Sequence, residues 1–373
     1  MMSLEDKKVA IVHDFLTKFG GAENLLEQIL KIFPKADIYT LFYDQVGTKN
    51  RFSDRKIFTS YLQKKPKKVP KKYQLLLPKF PKAVEKFDLS EYDLVISHSN
   101  SFAHGVITGS KTLHLCYCLS PTRYLYDWKD QYLSENGYDR GFSGNIIKKI
   151  FSDLRLWDQA SADRPDHYIA ISKHVKNRIR KYYRLNSDIC YPAVDTDKIK
   201  PNFGEHEDFY LIVSRLSPYK KIDLAIECFN QIDKNLVIIG EGSDQARLKS
   251  LAKKNIEFLG WQSDKSLFEY LRSARALIFP GEEDFGLTPI EAMASGTPVI
   301  AYNLGGVSET VIDGQTGLFF QTSTAGDLKN TIEKFEKTFI ANRQKIRQQA
   351  EVFSFENFKN RFIELIKEYD KKN

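Results

Sequence analysis

Arg215 and Lys220 lie in Ser214-Arg215-Leu216-Ser217-Pro218-Tyr219-Lys220-Lys221, directly after an apolar run at 209–213. A guanidinium fork and an ammonium point charge suit a diphosphate, each charge-assisted contact contributing about 1.5–3 kcal/mol. A solvated loop would carry the same two residues. Gly240-Glu241-Gly242 ends a second apolar run, where missing side chains allow either close backbone approach to a ligand or a tight strand-to-helix turn. Gly281-Glu282-Glu283-Asp284-Phe285-Gly286-Leu287-Thr288-Pro289-Ile290-Glu291 is more informative. With Thr288 as N-cap and Pro289 at the first helical position, a helix starts straight after a glycine-containing loop. Its unpaired N–H groups and dipole then offer an anion site. Glu283 stands ahead of that helix and Glu291 on its first turn, so both carboxylates can face one ligand. Compensation of the helix dipole explains either glutamate alone.

These residues need a scaffold that brings post-strand loops together, and the hydropathy pattern supplies one. Short apolar runs alternate with helical patterns along the chain, as in parallel sheets covered by helices. Strands are expected at 8–12, 38–42, 93–97, 112–118 and 167–171, with a helix at 22–32 and a strongly basic one at 173–183. A linker is expected at 191–207, where Tyr191-Pro192-Ala193-Val194-Asp195-Thr196-Asp197 begins a stretch without apolar periodicity. A second series follows: strands at 209–213, 236–239, 256–259, 276–279 and 298–302, separated by four helices. The expected fold class is α/β, with an N-terminal Rossmann-like domain at 1–190, a C-terminal one at 208–352, and a final helix at 353–373 packing back on the first. Ligands of such sheets bind beyond the carboxyl ends of the strands.

At 373 residues, 42% hydrophobic and 28% charged, the chain has the composition of a globular protein of about two domains. Its net charge of +8 is unevenly placed. The segment 49–86 holds thirteen basic residues against Asp54 and Glu85, so the remainder is slightly acidic. Cys116, Cys118, Cys190 and Cys228 are too scattered for a disulfide framework and read as reduced core thiols. No apolar stretch approaches a membrane span, and the start Met1-Met2-Ser3-Leu4-Glu5-Asp6-Lys7-Lys8 lacks an apolar leader, so a cytoplasmic protein is expected. No metal is expected: Asp195-Thr196-Asp197 has the spacing of an Asp-x-Asp pair but falls in the linker, and His98, His104 and His114 fall on separate segments.

The ordered set Arg215 and Lys220, Gly240-Glu241-Gly242, Glu283 and Glu291, Ala294-Ser295-Gly296-Thr297-Pro298-Val299 and Gly305-Gly306-Val307 resembles the nucleotide-sugar domain of retaining GT-B glycosyltransferases of family 4. Gly20-Gly21-Ala22-Glu23, Tyr92-Asp93-Leu94-Val95-Ile96-Ser97 and Ser120-Pro121-Thr122-Arg123-Tyr124 also have counterparts there. The resemblance covers nearly the whole chain and implies two Rossmann-like domains facing a central cleft. It implies that Arg215 and Lys220 neutralise the donor diphosphate, Glu291 binds the ribose, Glu283 holds the transferred sugar, and backbone N–H groups of Phe285, Gly286, Leu287 and Thr288 contact sugar and phosphate. Gly240 and Glu241 join the donor site, and Gly20 and Gly21 let the amino-domain loop close over the diphosphate. No cofactor is implied beyond the nucleotide sugar as co-substrate. Leu119 and Asn100 stand where relatives often carry histidine. Strand alternation puts His98 on the same face as Asn100, so His98, Asn100, Arg123 and Tyr124 are the acceptor-side candidates.

The opening His13-Asp14-Phe15-Leu16 and Cys116-Tyr117-Cys118 before Ser120-Pro121 look like bacterial polysaccharide mannosyltransferases, which implies GDP-mannose as donor and a glycan or polyprenyl-diphosphate-linked acceptor. The lysines of 64–72, flanked by apolar residues and broken by prolines, fit an anionic membrane surface at about 1 kcal/mol per engaged cation. They are not accompanied by any nucleic-acid reading motif. Alternatives are another GT-B enzyme, such as a nucleotide-sugar epimerase, or a non-catalytic membrane adaptor of the same fold.

Overall fold

The structure, a computed structural model, describes residues 4, 6–64, 69, 73–135, 141–204 and 206–371. The chain divides into two compact units. Met1–Tyr191 and Lys359–Asn373 form the first, and Pro192–Phe358 the second.

The first unit is built on a seven-stranded sheet: β1 (Val9–His13), β2 (Asp37–Thr40), β3 (Ile57–Thr59), β4 (Leu94–Ser99), β5 (Leu113–Cys118), β6 (His167–Ala170) and β7 (Asp188–Ile189). The strand order is β3-β2-β1-β4-β5-β6-β7, and every pairing is parallel. Every residue of β1, β4 and β5 is buried, as expected where helices cover both faces and the strands read as continuous apolar runs. All four cysteines are buried and outside any disulfide.

The second unit repeats this plan with β8 (Phe209–Val213), β9 (Asn235–Ile239), β10 (Ile256–Gly260), β11 (Ala276–Phe279), β12 (Val299–Tyr302) and β13 (Gly317–Phe320). All pairings are parallel, in the order β10-β9-β8-β11-β12-β13. Both sheets reverse direction of growth beside their first strand, between β1 and β4 and between β8 and β11. Those are the topological switch points, where the diverging loops leave room for a ligand.

Three strands exceed the sequence expectation. β3, β7 and β13 lie at sheet edges and are two to four residues long, too short for a period to register. The C-terminal stretch forms helices Arg343–Glu351 and Phe355–Asp370. Within the second unit Arg347 donates to the carbonyls of Thr196, Ile199 and Ala294 at 2.9, 2.7 and 2.6 Å, fastening residues from the expected linker. Within the first unit Phe362 packs on Tyr117, Tyr369 stacks on His167 at 4.0 Å, and Lys7 pairs with Asp370 at 2.7 Å. Among the described residues no helix is long and apolar enough to cross a membrane.

Candidate active site

The C-terminal ends of β8 and β11 bound a small cavity lined by Ser214, Lys220, Phe279, Pro280, Gly281 and Glu283. It lies at the switch point of the second sheet. After β8 the chain makes a short 3-10 turn, Pro218–Lys220, and Lys221 adopts a left-handed conformation (φ 55°) before the helix Ile222–Phe229. That turn presents the ammonium of Lys220 to the carboxylate of Glu283, with which it forms an ion pair. Both side chains keep part of their surface in solvent, 15% and 24%. Tyr219 links the two cations of this loop: its hydroxyl accepts from Arg215 at 3.2 Å, and its ring lies 4.9 Å from the Lys220 ammonium.

Glycines set these distances. A Cβ on Gly281 would stand 2.8 Å from the Lys220 carbonyl. Glu283 forms an isolated parallel bridge to Gly305, and the Gly306 N–H donates to the Glu283 carbonyl at 2.9 Å. A Cβ at Gly305 (φ 84°) would lie 2.3 Å from that carbonyl, and one at Gly306 2.3 Å from the Phe285 Cα. Gly305-Gly306 therefore clamps the backbone from Glu283 to Phe285. Gly240 and Gly242 have the same kind of task. Side chains there would strike the carbonyls of Ser214 and Leu216 at 1.9 and 2.0 Å, so their smallness lets two post-strand loops interlock. Glu241 is exposed, and its carbonyl accepts from Leu216 N–H at 3.0 Å.

The helix after β11 is Leu287–Ala294, capped by Gly286 in the left-handed region (φ 89°) with no side-chain cap. Thr288 was the expected cap, and it instead occupies the second helical position. Glycine replaces it because the chain must turn sharply past the Phe279 ring, 3.3 Å from where a Gly286 Cβ would stand. Gly286 thus offers the first N–H groups no side-chain acceptor, while Phe285 is buried against Phe353. Glu291 is largely enclosed, and desolvation, with the nearby Asp264 carboxylate adding to it, pushes its carboxyl up to about 7. Arg215, Lys220, Gly240, Glu241, Glu283, Phe285, Gly286, Leu287, Thr288 and Glu291 all lie in this unit beyond the C-terminal ends of β8, β9 and β11.

The residues assigned from the first half of the chain sit in the first unit. Gly20 caps the helix Gly21–Ile32 in an extended conformation that any residue adopts, and Gly20 and Gly21 are exposed. His98 and Asn100 do not share a face. β4 stops at Ser99, and the carboxylate of Asp14 accepts the N–H groups of Asn100, Phe102 and Ala103 at 2.7, 2.6 and 2.7 Å, turning the chain. Asn100 is exposed, while His98 is wholly buried, 2.8 Å from His13. Burial holds the His98 imidazolium form off, with His13 adding to the effect. Arg123 stacks on Trp128 at 4.2 Å, and the Tyr124 hydroxyl meets Ser101 at 2.7 Å. His13, Asp14 and Tyr219 were not singled out as site residues in the sequence.

Among the described residues no group of three His, Cys, Asp or Glu side chains is placed to hold a metal ion. Asp195 pairs with Lys198 at 2.7 Å. Of the basic segment, residues 65–68 and 70–72 lie outside the described residues.

Residues 194–353 match the family described as Glycosyl transferases group 1. An uncharacterised glycosyltransferase of Methanocaldococcus jannaschii is 32% identical over 211 residues, 54% of this chain and 60% of that one. The alpha-1,3/1,6-mannosyltransferase ALG2 of Saccharomyces cerevisiae is 29% identical over 263 residues, 56% of this chain and 52% of that one. The matches thus span 52–60% of the length of those relatives. Among solved structures, sucrose-phosphate synthase of Thermosynechococcus elongatus superposes with a TM-score of 0.76 at 19% identity, covering 98% of this chain and 100% of that one. HepE of Anabaena, in complex with UDP-glucose, superposes with 0.70 at 18% identity, covering 96% and 99%. At such identities the likeness establishes the fold, and the fold is GT-B.

Proposed function

We propose that the protein is a retaining, metal-independent glycosyltransferase that moves a hexose from a nucleotide-diphosphate sugar to a lipid-linked or polysaccharide acceptor. The observation that carries this reading is the Lys220–Glu283 ion pair at the switch point between β8 and β11, beside a helix N-terminus without a side-chain cap. The match of 194–353 to group 1 glycosyl transferases and the UDP-glucose complex of HepE support it. GDP-mannose is the favoured donor, in line with the similarity to ALG2.

The chemistry asks for charge stabilisation more than for a strong nucleophile. The bond from the anomeric carbon to phosphate oxygen breaks, and its electron pair leaves on the diphosphate. An acceptor oxygen bonds to the same face of the carbon, passing its proton to the departing phosphate. Lys220, Arg215 and the helix N–H groups act on the charge as it develops on the leaving group. Glu283 pairs with Lys220. An incoming diphosphate takes over the ammonium and leaves Glu283 to accept from sugar hydroxyls. Product analysis by proton NMR tests this: released nucleoside diphosphate and a glycoside with the donor's anomeric configuration are expected. An inverted product, or an altered sugar still on its nucleotide, would refute it.

Glu291 gives a pH prediction. Its proton is retained to about pH 7 in the folded protein, against a usual 4.5. The folded state therefore binds more protons across that window, and the stability associated with this group falls as pH rises through it. A ribose diol donates best to the ionised carboxylate. Nucleotide affinity should rise about tenfold from pH 6 to pH 8, following the ionised fraction. Calorimetry on wild type and Glu291→Gln checks this, since the difference removes titration of the ligand's own phosphate. Equal slopes would remove Glu291 from the ribose site.

Attachment to the inner membrane face through the segment 64–72 is part of the same proposal. Leu75 and Tyr61, beside that segment, are exposed to 74% and 50%. Sedimentation with vesicles containing phosphatidylserine should capture the protein at low salt and release it near 0.5 M, roughly where the Debye length falls below about 5 Å. Equal recovery with neutral vesicles would contradict it.

A further inference from the structure

We propose that Glu23, His13 and His98 form one proton-ordered unit that presents a single Glu23 oxygen, Oε2, to a hydroxyl group of the acceptor. This rests on the transferase reading above and adds a residue to it.

The unit sits at the switch point of the first sheet. His13 ends β1, His98 lies beside it in register near the end of β4, and Glu23 is on the first turn of the following helix. The Nδ1 atoms of the two rings are 2.8 Å apart, the rings stack at 5.0 Å, and His13 Nε2 lies 3.4 Å from Glu23 Oε1. One Nδ1 must carry a proton and the other must not. If His13 carried it there, its Nε2 lone pair would face the Glu23 carboxylate, and the buried His98 Nε2–H would be a donor without an acceptor. The reverse order avoids both penalties. His98 Nδ1–H donates to His13 Nδ1, and His13 Nε2–H donates to Glu23. The atom left over is the fully buried His98 Nε2, which has no partner among the described residues. It is then a bare lone pair, the less costly of the two unmet groups. His98 itself stacks on Tyr117 at 5.8 Å.

This order turns Glu23 into an acceptor with one committed oxygen and one available. The available one, Oε2, lies 3.4 Å from where a Cβ on Gly20 would stand. A Cβ there would make only an ordinary van der Waals contact, and glycine leaves the oxygen open on that side. The backbone at Gly20 is extended and imposes no need of its own for glycine. A carboxylate held at one oxygen and open at the other suits a neutral polyol, as in an acceptor sugar. Glu23 then contacts the substrate, and His13 and His98 act as positioning residues.

The test combines two readouts. Nitrogen-15 NMR of the imidazole rings, with no substrate present, should show His13 protonated on Nε2 and His98 on Nδ1, with Glu23→Gln disturbing the His13 signal. Transfer kinetics should show Glu23→Gln raising the acceptor KM at least tenfold while the Kd for GDP and UDP stays within twofold. His98→Phe should raise that KM by a smaller factor. His13 protonated on Nδ1 in the wild type, or an unchanged acceptor KM in Glu23→Gln, would overturn the proposal. If the wild type neither binds nucleotide nor transfers sugar, the transferase reading fails and with it the acceptor role. The ring signals then report the proton order on their own.

Discussion

Lys220→Ala should lower the transfer rate by about a hundred- to a thousandfold, the cost of removing one preorganised charge from a developing anion. The fold should survive. Lys220 and Glu283 both reach solvent, so Glu283 left alone is hydrated and does not become a buried unpaired charge, and partly exposed pairs add little to stability. A melting temperature within a few degrees of wild type is expected. Glu283→Ala should be similarly slow, and the double variant much less than the product of the two losses, because the residues act as a unit. Single-turnover measurements with saturating donor separate chemistry from binding. Wild-type rates in both single variants would move the site elsewhere.

The second large effect concerns backbone. Gly306→Val puts a Cβ within 2.3 Å of the Phe285 Cα and 2.6 Å of the Asp284 carbonyl. Neither is the flexible end of a side chain, so the loop segment carrying Glu283 must move. A loss of about 2–4 kcal/mol in unfolding free energy is expected, together with at least a hundredfold loss of transfer from the displaced carboxylate. Gly314→Ala serves as the control, because its Cβ would meet nothing within 4 Å, leaving only its positive φ to cost about 1 kcal/mol. Chemical denaturation and transfer assays on the pair decide the point. Equal stability of the two variants would show that the clamp is not tight.

Much of this is legible in the sequence. Fully buried parallel strands such as Leu113–Cys118 show as apolar runs, and the residues after them carry the charges and glycines of a site. What escaped has physical causes. β3, β7 and β13 are short edge strands, with too few residues for a pattern. The helix of Leu287–Ala294 takes its cap from Gly286 because the loop has to pass the Phe279 ring, which no local signal announces over Thr288-Pro289. Gly240 and Gly242 are demanded by Ser214 and Leu216, more than twenty residues earlier in the chain. The His13–His98 contact joins residues 85 apart, and Asp14 reaches Ala103 over 89. A sequence shows spacing within a motif, whereas a sheet pairs motifs that are remote from each other.

The proposed transfer requires the second unit to bind a nucleotide-diphosphate sugar through Lys220. A thermal-shift panel of GDP-, UDP-, ADP- and dTDP-sugars, run in parallel on wild type and Lys220→Ala, tests it most directly. One sugar nucleotide at a hundred times its Kd should stabilise the wild type by about 2.7 kcal/mol, with the shift lost or strongly reduced in the variant. Melting temperatures that respond to none of the four, or that rise equally in Lys220→Ala, would contradict it.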